Sequence, residues 1–457
     1  MRLAPAERLS APRHLRLRAR SAVSLGAALA LATAPRAARA DPGADLAIPP
    51  PRVTTVELPP PNKAVGDAPT TEHNELAGAP ILGGNTDIGF QIGVAATFTR
   101  VSPRYVPYRW KIDGLVSASI KDGPRGLEAA QQSHDMRIDV PRALGGRIRI
   151  MPGIFFERTV NAGYFGVGND SPAIANPDGT FGSRYQYIHR EVRARVLLRS
   201  PLRGPTSLMY GLTLRNVEPS TYAGSKLDLD SRRVAPDGGP YIRGVDTLNH
   251  SIASAGLIYD TRDNEITPRS GSFDQYALRF GAATPTRANV FYGGASIIIR
   301  RYVPIGDRFV LAARGLVDAL AGHLAFYDLS QGGAFIPIDL PGGPQGVRGV
   351  PNGRYQGPVK VVGNVELRVT HLKFRLFGDE FRVGNNIFAD AGRVFASYGP
   401  DERDGKGIGL KYGVGAGVFV VWGTAAVFRV EFAYSPDAVS VNPGFPIGIY
   451  AADGQMF

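Results

Sequence analysis

The residues best suited to specific chemistry are one arginine in a glycine-rich segment and two acids that follow it. The segment covers 342–350 (GGPQGVRGV) and holds Arg348. Glycine-rich backbone can pack closely against other backbone. Because an unpaired buried charge is very costly, an enclosed Arg348 needs carboxylates nearby. Glu366 and Asp390 lie on the next two extended segments. If the loop is enclosed, these two acids are the candidate partners of Arg348, whereas composition alone favours a solvent-exposed loop arginine.

The remaining reactive side chains form no pattern typical of an enzyme. The seven histidines lack the spacing of metal ligands, and the chain has no cysteine and no recognisable nucleophile motif. Asp260, Arg262 and Asp263 precede Asn264 and Pro268, which favours a self-paired turn over metal or acid chemistry. We therefore predict no catalytic residue, no metal, no cofactor and no enzyme activity. The alternative to this prediction is an enzyme whose fold is a β-barrel with catalytic groups at the ends of its strands; it ranks third, behind the two functions given at the end of this subsection.

Residues 1–40 have the organisation of a signal peptide. An arginine-rich stretch precedes an apolar core at 21–34, and Ala38-Arg39-Ala40 forms a small-x-small cleavage site. A membrane anchor is the alternative, but the apolar run is too short to span a bilayer comfortably. Eight arginines and one glutamate lie here, so most of the formal charge of +12 belongs to this segment. The remaining charge does not indicate nucleic-acid binding.

Residues 41–79 are predicted to form a proline-rich periplasmic tail that is disordered. Nine prolines lie within 41–80, including the triplets at 49–51 and 59–61, and the segment has no hydrophobic period. Such a composition favours extended, partly polyproline backbone over a folded domain. The tail is therefore a candidate for recruiting a separate periplasmic partner.

From residue 80 onward the chain alternates between polar and apolar side chains. In one such segment Glu191, Arg193 and Arg195 share one face, while Val192 and Val196 share the other. The charged face fits the solvated interior of a barrel, with the lining of a conducting pore as the alternative. Segments of about 9–14 residues recur to the end of the chain, a length that suits tilted membrane strands.

We predict an all-β fold, a transmembrane antiparallel β-barrel of 16 strands formed by residues 80–457. An even strand number lets the antiparallel sheet close. Closure is required because lipid cannot form hydrogen bonds with the backbone N–H and C=O groups of an exposed strand edge. The long connections are predicted near 160–183, 218–249 and 322–356, and the last holds Arg348. The strands are predicted near 79–84, 87–100, 107–121, 126–140, 146–159, 184–199, 206–217, 250–261, 272–283, 288–303, 307–321, 357–370, 380–394, 408–421, 423–434 and 446–457.

With these segments in place, the chain resembles the BamA/TamA superfamily of outer-membrane barrels, also called the bacterial surface antigen family. The most specific match is Val347-Arg348-Gly349, which corresponds to the family's Val-Arg-Gly-aromatic motif at the tip of the sixth outer loop. Four other segments agree with the family pattern: YDTRDN at 259–264, GYFGVGN at 163–169, FADAG at 388–392 and RVEFAYS at 429–435.

The resemblance implies a bacterial outer-membrane protein whose loop six folds into the barrel lumen. There Arg348 would pair with Glu366 and Asp390. We call Val347, Arg348, Gly349, Glu366 and Asp390 the loop-six lock. The resemblance also implies a weak seam between the first and last strands, where the exposed edge would template incoming strands.

The end of the chain supplies a further signal. The terminal Phe457 resembles the aromatic residue at the end of outer-membrane barrels. In those barrels this residue lies at the lipid interface and is recognised by the assembly machinery, and we expect the same of Phe457. The chain departs from the family where Val350 replaces the aromatic after Arg-Gly, with Tyr355 as a nearby substitute. Asp453 and Gln455 also occupy positions where lipid-facing apolar residues are expected.

The region before the barrel is the largest departure, because residues 41–79 are shorter than one periplasmic polypeptide-transport-associated domain. The first hypothesis is therefore a reduced insertase or translocase that acts on unfolded outer-membrane or secreted proteins. The alternative is a passive pore or structural barrel without insertase activity. The expected partners are outer-membrane lipid, protein clients and a periplasmic protein recruited by 41–79, with no nucleic acid.

Overall fold

A computed structural model describes the chain from residue 72 to residue 457. The ranges outside this description are 1–71, 86–88, 104, 124–125, 178, 180, 265–266, 286–288, 377–378, 423–425, 441–445 and 454. The predicted signal peptide at 1–40 and most of the predicted tail at 41–79 therefore lie outside the described residues. Within the described part, no helix is long and apolar enough to cross a membrane.

The described residues form one antiparallel sheet of sixteen long strands that curves into a barrel, and a short hairpin lies inside one loop. The first eight strands are β1 (His73–Asn85), β2 (Gly89–Ser102), β3 (Tyr105–Gly123), β4 (Gly126–Ala143), β5 (Ile148–Gly163), β6 (Gln186–Pro201), β7 (Thr206–Thr221) and β8 (Leu248–Asp260). Next come β9 (Gly271–Thr284), β10 (Phe291–Ile305), β11 (Phe309–His323), the hairpin strands β12 (Gln331–Gly332) and β13 (Ile338–Asp339), β14 (Val359–Leu376), β15 (Asp379–Phe395), β16 (Lys411–Trp422), β17 (Ala426–Tyr434) and β18 (Ile447–Asp453). One short helix, α1 (Lys226–Ser231), lies in the connection between β7 and β8.

The alternation in the sequence becomes an inside and an outside of the barrel. On β6, Glu191 and Arg193 are buried toward the interior, whereas Val192 and Val196 are each 42% exposed on the outer face. Strands β9 and β17 repeat this pattern with outward Leu278 and Phe432. An apolar outer belt on a sheet with a polar interior is the arrangement of an outer-membrane barrel. The predicted all-β fold with sixteen membrane strands is confirmed.

The two ends of the sheet meet over a very short distance. Strand β1 pairs with β2 along its whole length, but it meets β18 only through Gly84 with Ala451 and Asn85 with Tyr450 among the described residues. Pro80 lies in the part of β1 that has no described pairing with β18. Because proline cannot donate to a ladder, it belongs on an edge strand. We call this junction of β1 and β18 the seam.

Two predicted boundaries at the seam need correction. Strand β1 begins at His73 rather than 79, so residues 73–79 belong to the barrel and not to the tail. No proline lies between Pro69 and Pro80, so nothing in the local sequence breaks the strand earlier. Strand β18 ends at Asp453, and residues 455–457 leave the sheet, contrary to the predicted strand at 446–457.

Candidate functional site

Loop six, residues 324–358 between β11 and β14, lies inside the barrel. Most of its residues are buried, including the one-turn 3-10 helix Phe326–Ser330 and both strands of its hairpin. Its tip packs into an apolar cluster formed by Ile298, Leu316, Ile338, Leu340, Val347, Val350, Tyr355, Val362 and Val394. A loop of this length is held in place by its own apolar side chains and by the strand faces around it.

Glycine allows the tip of loop six to approach the barrel wall closely. Gly349 has φ +94°, a conformation that side chains with a Cβ rarely adopt. A Cβ at this position would lie 2.8 Å from Cβ of Ser435. A side chain at Gly413 would collide with the backbone carbonyl of Arg348. The glycines on both sides of this contact therefore let the backbone of Arg348 lie against β16.

Arg348 is fully buried and its guanidinium binds Asp390 in a bidentate fashion. Nε donates to Oδ2 of Asp390 at 2.8 Å, and Nη2 donates to Oδ1 at 3.0 Å. The backbone amide of Arg348 donates to the same carboxylate at 3.1 Å. This fork-to-fork geometry is the strongest form of arginine–carboxylate recognition. It fixes both the side chain and the backbone of the loop tip against β15.

The remaining donor, Nη1 of Arg348, joins two further strands. It donates to Oε2 of Glu366 on β14 at 3.1 Å and to Oε1 of Glu431 on β17 at 2.9 Å. The guanidinium carbon also lies 3.3 Å from the ring centroid of Phe388, which is a cation–π contact. The structure thus brings together Arg348, Glu366 and Asp390 of the predicted lock.

Two other arginines balance the charge of the three carboxylates. Nε of Arg368 donates to Oε1 of Glu366 at 2.9 Å, and Nη1 of Arg429 donates to Oε1 of Glu431 at 3.5 Å. Burial alone would lower the pKa of Arg348, but Glu431, Asp390 and Glu366 together raise that pKa above its ordinary value. The arginine is therefore held charged, and the network fixes one geometry of the loop.

Sequence reasoning missed Glu431 as a partner of Arg348. Arg429 and Glu431 form an ion pair on the same strand, but a third carboxylate beside Arg348 was not expected from the sequence. The signal was available, because Glu431 lies on the inward face of a strand in the RVEFAYS segment. Glu431 lies far from Arg348 in the sequence, and only the closure of the sheet brings the two residues together. The sequence alone therefore did not indicate the contact.

A second residue missed from the sequence connects loop six to the seam. The backbone amide of Gly349 donates a 2.8 Å hydrogen bond to the hydroxyl of Tyr450 on β18. Tyr450 is itself one of the two β18 residues that pair with β1. Val350 lies in the same apolar cluster as Tyr355, whose hydroxyl donates to Oδ1 of Asp437 at 2.5 Å.

Phe457 is not at the lipid interface, so that prediction is wrong. Its side chain is 7% exposed and packs with Tyr302, Ala312 and Met456 on the inner side of the barrel. Nη2 of Arg368 donates to the backbone carbonyl of Phe457 at 2.9 Å, and the guanidinium lies 5.4 Å from its ring centroid. Phe457 turns inward because the polar lumen supplies this arginine, which a lipid-facing position cannot.

Other predicted groups lie away from this site. Asp260 pairs with Arg262, Asp263 accepts hydrogen bonds from the amides of Arg269 and Ser270, and the cluster is the self-paired turn that the sequence favours. Among the described residues, no group of three or more histidine, aspartate and glutamate side chains is placed to hold a metal ion.

The comparisons with known proteins agree with this barrel fold. The model of the Omp85 superfamily domain matches residues 141–443, about two thirds of the chain. The chain belongs to the Omp85 superfamily. As an Omp85 protein it is a β-barrel of the bacterial outer membrane. Membership supports a role in outer-membrane protein assembly or protein translocation.

Two solved structures share the fold of this Omp85 barrel at low sequence identity. BamA from Haemophilus ducreyi lacking POTRA domains 1–3 matches with TM-score 0.50 and 15% identity, covering 88% of this chain and 75% of that chain. CdiB from Escherichia coli matches with TM-score 0.52 and 13% identity, covering 83% of this chain and 62% of that chain. A search of curated protein sequences gave no match.

Proposed function

We propose that this Omp85 protein inserts or translocates protein clients at the seam between β1 and β18. The single observation that carries the proposal is the mismatch at this junction. Strand β1 runs through His73–Asn85, yet only its last two residues have described pairing with β18. An unpaired strand edge is a template for another strand. A client strand would add to β1 by β-augmentation.

Loop six is proposed to hold the seam in register while a client is bound. Its tip contacts β14, β15 and β17 through Arg348, and it contacts β18 through Gly349 and Tyr450. Displacement of the tip would break the hydrogen bond between Gly349 and Tyr450. Strand β18 could then separate from the end of β1, which would lengthen the unpaired edge of β1. The lock would thereby couple the state of the lumen to the state of the seam, and this mechanism requires no catalytic side chain.

The partners follow from the same proposal. Clients would be unfolded outer-membrane or secreted proteins, because strand edges recognise extended backbone rather than one sequence. The segment 41–71 is proposed to recruit a periplasmic protein that delivers them. Deletion of 41–71 leaves β1 intact and is therefore a better test than deletion of 41–79.

Depletion of the protein tests the proposed function. A quantitative census of outer-membrane and secreted proteins after depletion is expected to show loss of specific clients. Expression of the full-length protein should restore them, whereas the 41–71 deletion should restore them poorly although its barrel folds. An unchanged census and unchanged secretion would refute the insertase and translocase proposal.

A passive pore is the second candidate, and the buried loop six weighs against it. Residues 325–332 are all buried within the barrel, which leaves little room for an ion path on that side. We expect low conductance from the purified barrel in a planar bilayer. High and steady conductance would favour the pore over the proposed role.

A further inference from the structure

A small cavity with both polar and apolar lining lies between loop six and the barrel wall, away from the Arg348 lock. Its volume is about 40 Å³. Arg193 on β6, Arg215 on β7 and Arg279 on β9 line it together with Asp328 and Phe335 of loop six. The three arginines are 3%, 5% and 6% exposed, respectively. Three buried guanidinium groups around one cavity are costly unless opposite charges and hydrogen-bond acceptors compensate them.

The carboxylates near the cavity do not satisfy all of these donors. Nε of Arg193 donates to Glu191 at 2.7 Å, and Nη2 of Arg215 donates to Asp328. Arg279 binds Asp318 through both terminal nitrogens, at 2.9 and 2.7 Å. Among the described residues, Nη1 of Arg193 and Nε of Arg215 are buried atoms without a hydrogen-bond partner.

The local charge is also unbalanced. Nζ of Lys360 lies 3.6 Å from Oδ1 of Asp318. Asp318 therefore forms ion pairs with two cations, Lys360 and Arg279. Glu191 likewise serves Arg193 and, at 3.9 Å, Arg215. Within this connected group of described residues, the buried cations outnumber the carboxylates by one. The cations are Arg193, Arg215, Arg279 and Lys360, and the carboxylates are Glu191, Asp318 and Asp328.

We propose that this cavity binds a small inorganic anion of the size of chloride. A water molecule needs roughly 10–15 Å³ of such space, so the cavity has room for a monoatomic anion and a water but not for a peptide side chain. The anion would accept hydrogen bonds from Arg193 and Arg215. The water would donate to Oδ2 of Asp328, which is also a buried atom without a partner.

The bound anion would hold the first half of loop six in the lumen. Arg348 joins the tip of the loop to β14, β15 and β17. The cavity joins residues 328–335 to β6, β7 and β9 on another part of the wall. An anion at this position would therefore be a second anchor for loop six, independent of the lock.

Bromide is the probe for the crystallographic test. Crystals of the full-length mature protein soaked in sodium bromide should give an anomalous peak within the cavity, close to Arg193 and Arg215. The R193Q variant should lose the peak. The R190Q variant is the matched control, because Arg190 lies on the same strand in an exposed pair with Glu218. Density for ordered water alone, with no anomalous peak in the wild-type cavity, would overturn the proposal.

Thermal unfolding in detergent supplies a measurement that needs no crystal. At equal ionic strength the wild-type barrel should unfold at a higher temperature in sodium bromide or chloride than in sodium gluconate, whose anion is too large for the cavity. R193Q should abolish this difference and R190Q should retain it. Equal midpoints in the three salts for the wild type would contradict the proposal, and this result does not depend on R193Q folding.

Discussion

The amide of Gly349 at the tip of loop six donates a 2.8 Å hydrogen bond to the hydroxyl of Tyr450 on the last strand. Tyr450 pairs across the seam with Asn85 of β1. One hydrogen bond therefore connects the element that fills the lumen with the junction where the sheet closes. Arg348, the neighbour of Gly349, ties the same tip to three other strands.

Removal of the Tyr450 hydroxyl tests this connection. In Y450F the amide of Gly349 stays buried but loses its acceptor, and an unsatisfied buried donor costs about 1–3 kcal/mol. We expect the heat-modifiable gel shift to occur at a lower temperature than in the wild type. Y434F is the control, since Tyr434 is 45% exposed on β17. Equal midpoints for Y450F and the wild type would show that this bond does not stabilise the barrel.

Replacement of Arg348 by alanine should weaken the barrel more strongly. Breaking a buried ion pair by removing one partner typically costs about 3–5 kcal/mol, and here three carboxylates lose the same arginine. R348K should recover only part of the loss, because an ammonium cannot reproduce the bidentate contact with Asp390. The matched surface variant is R190A. If the heat-modifiable shift of R348A matches that of R190A, the lock is wrong.

Glu431 provides a test of the three-carboxylate geometry specifically. E431Q keeps the shape of the side chain but removes one negative charge that faces Arg348, and it leaves Arg429 with a neutral partner. We expect a lower unfolding midpoint than in the wild type. E218Q, in the exposed pair with Arg190, should have almost no effect, as exposed ion pairs contribute about 0–1 kcal/mol. A midpoint for E431Q as high as for E218Q would exclude Glu431 from the lock.

The inward position of Phe457 can be measured by fluorescence. Trp110 and Trp422 are the two tryptophans of the chain, and both would first be replaced by phenylalanine. In that background F457W should resist quenching by brominated lipid chains because the residue is 7% exposed in the lumen. F432W, on the outer face at 52% exposure, should be quenched. Strong quenching of F457W would show that residue 457 lies at the lipid interface and would contradict the inward position.

The sequence was sufficient for features that depend on local pattern. Period-two alternation on segments such as 191–199 predicted the strands and their inward faces, because the pleat dictates which side chains share a face. The lock residues Arg348, Glu366 and Asp390 were accessible through a motif. Both depend on neighbours that are close along the chain or linked by a known spacing.

The features that sequence missed depend on closure of the sheet. Glu431 and Tyr450 reach loop six only because β17 and β18 curve round to it. The alternation along a strand can place Glu431 on the inward face, but it does not give the distance to Arg348. Phe457 turned inward because Arg368 offers its carbonyl a donor, a contact between residues far apart in sequence. The length of β1 was underestimated because its residues 73–79 alternate weakly and Pro80 suggested a boundary.

A disulfide across the seam is the sharpest test of the proposed function. The chain has no cysteine, so the double variant G84C/A451C introduces one pair at partner positions of β1 and β18, and A295C/A319C places a control pair between β10 and β11. In depleted cells, we expect the oxidised seam variant to fail to restore client proteins to the outer membrane and to recover on reduction, while the control restores them in both states. Full restoration by the oxidised seam variant, with the disulfide demonstrated on a gel, would contradict insertion or translocation at the seam.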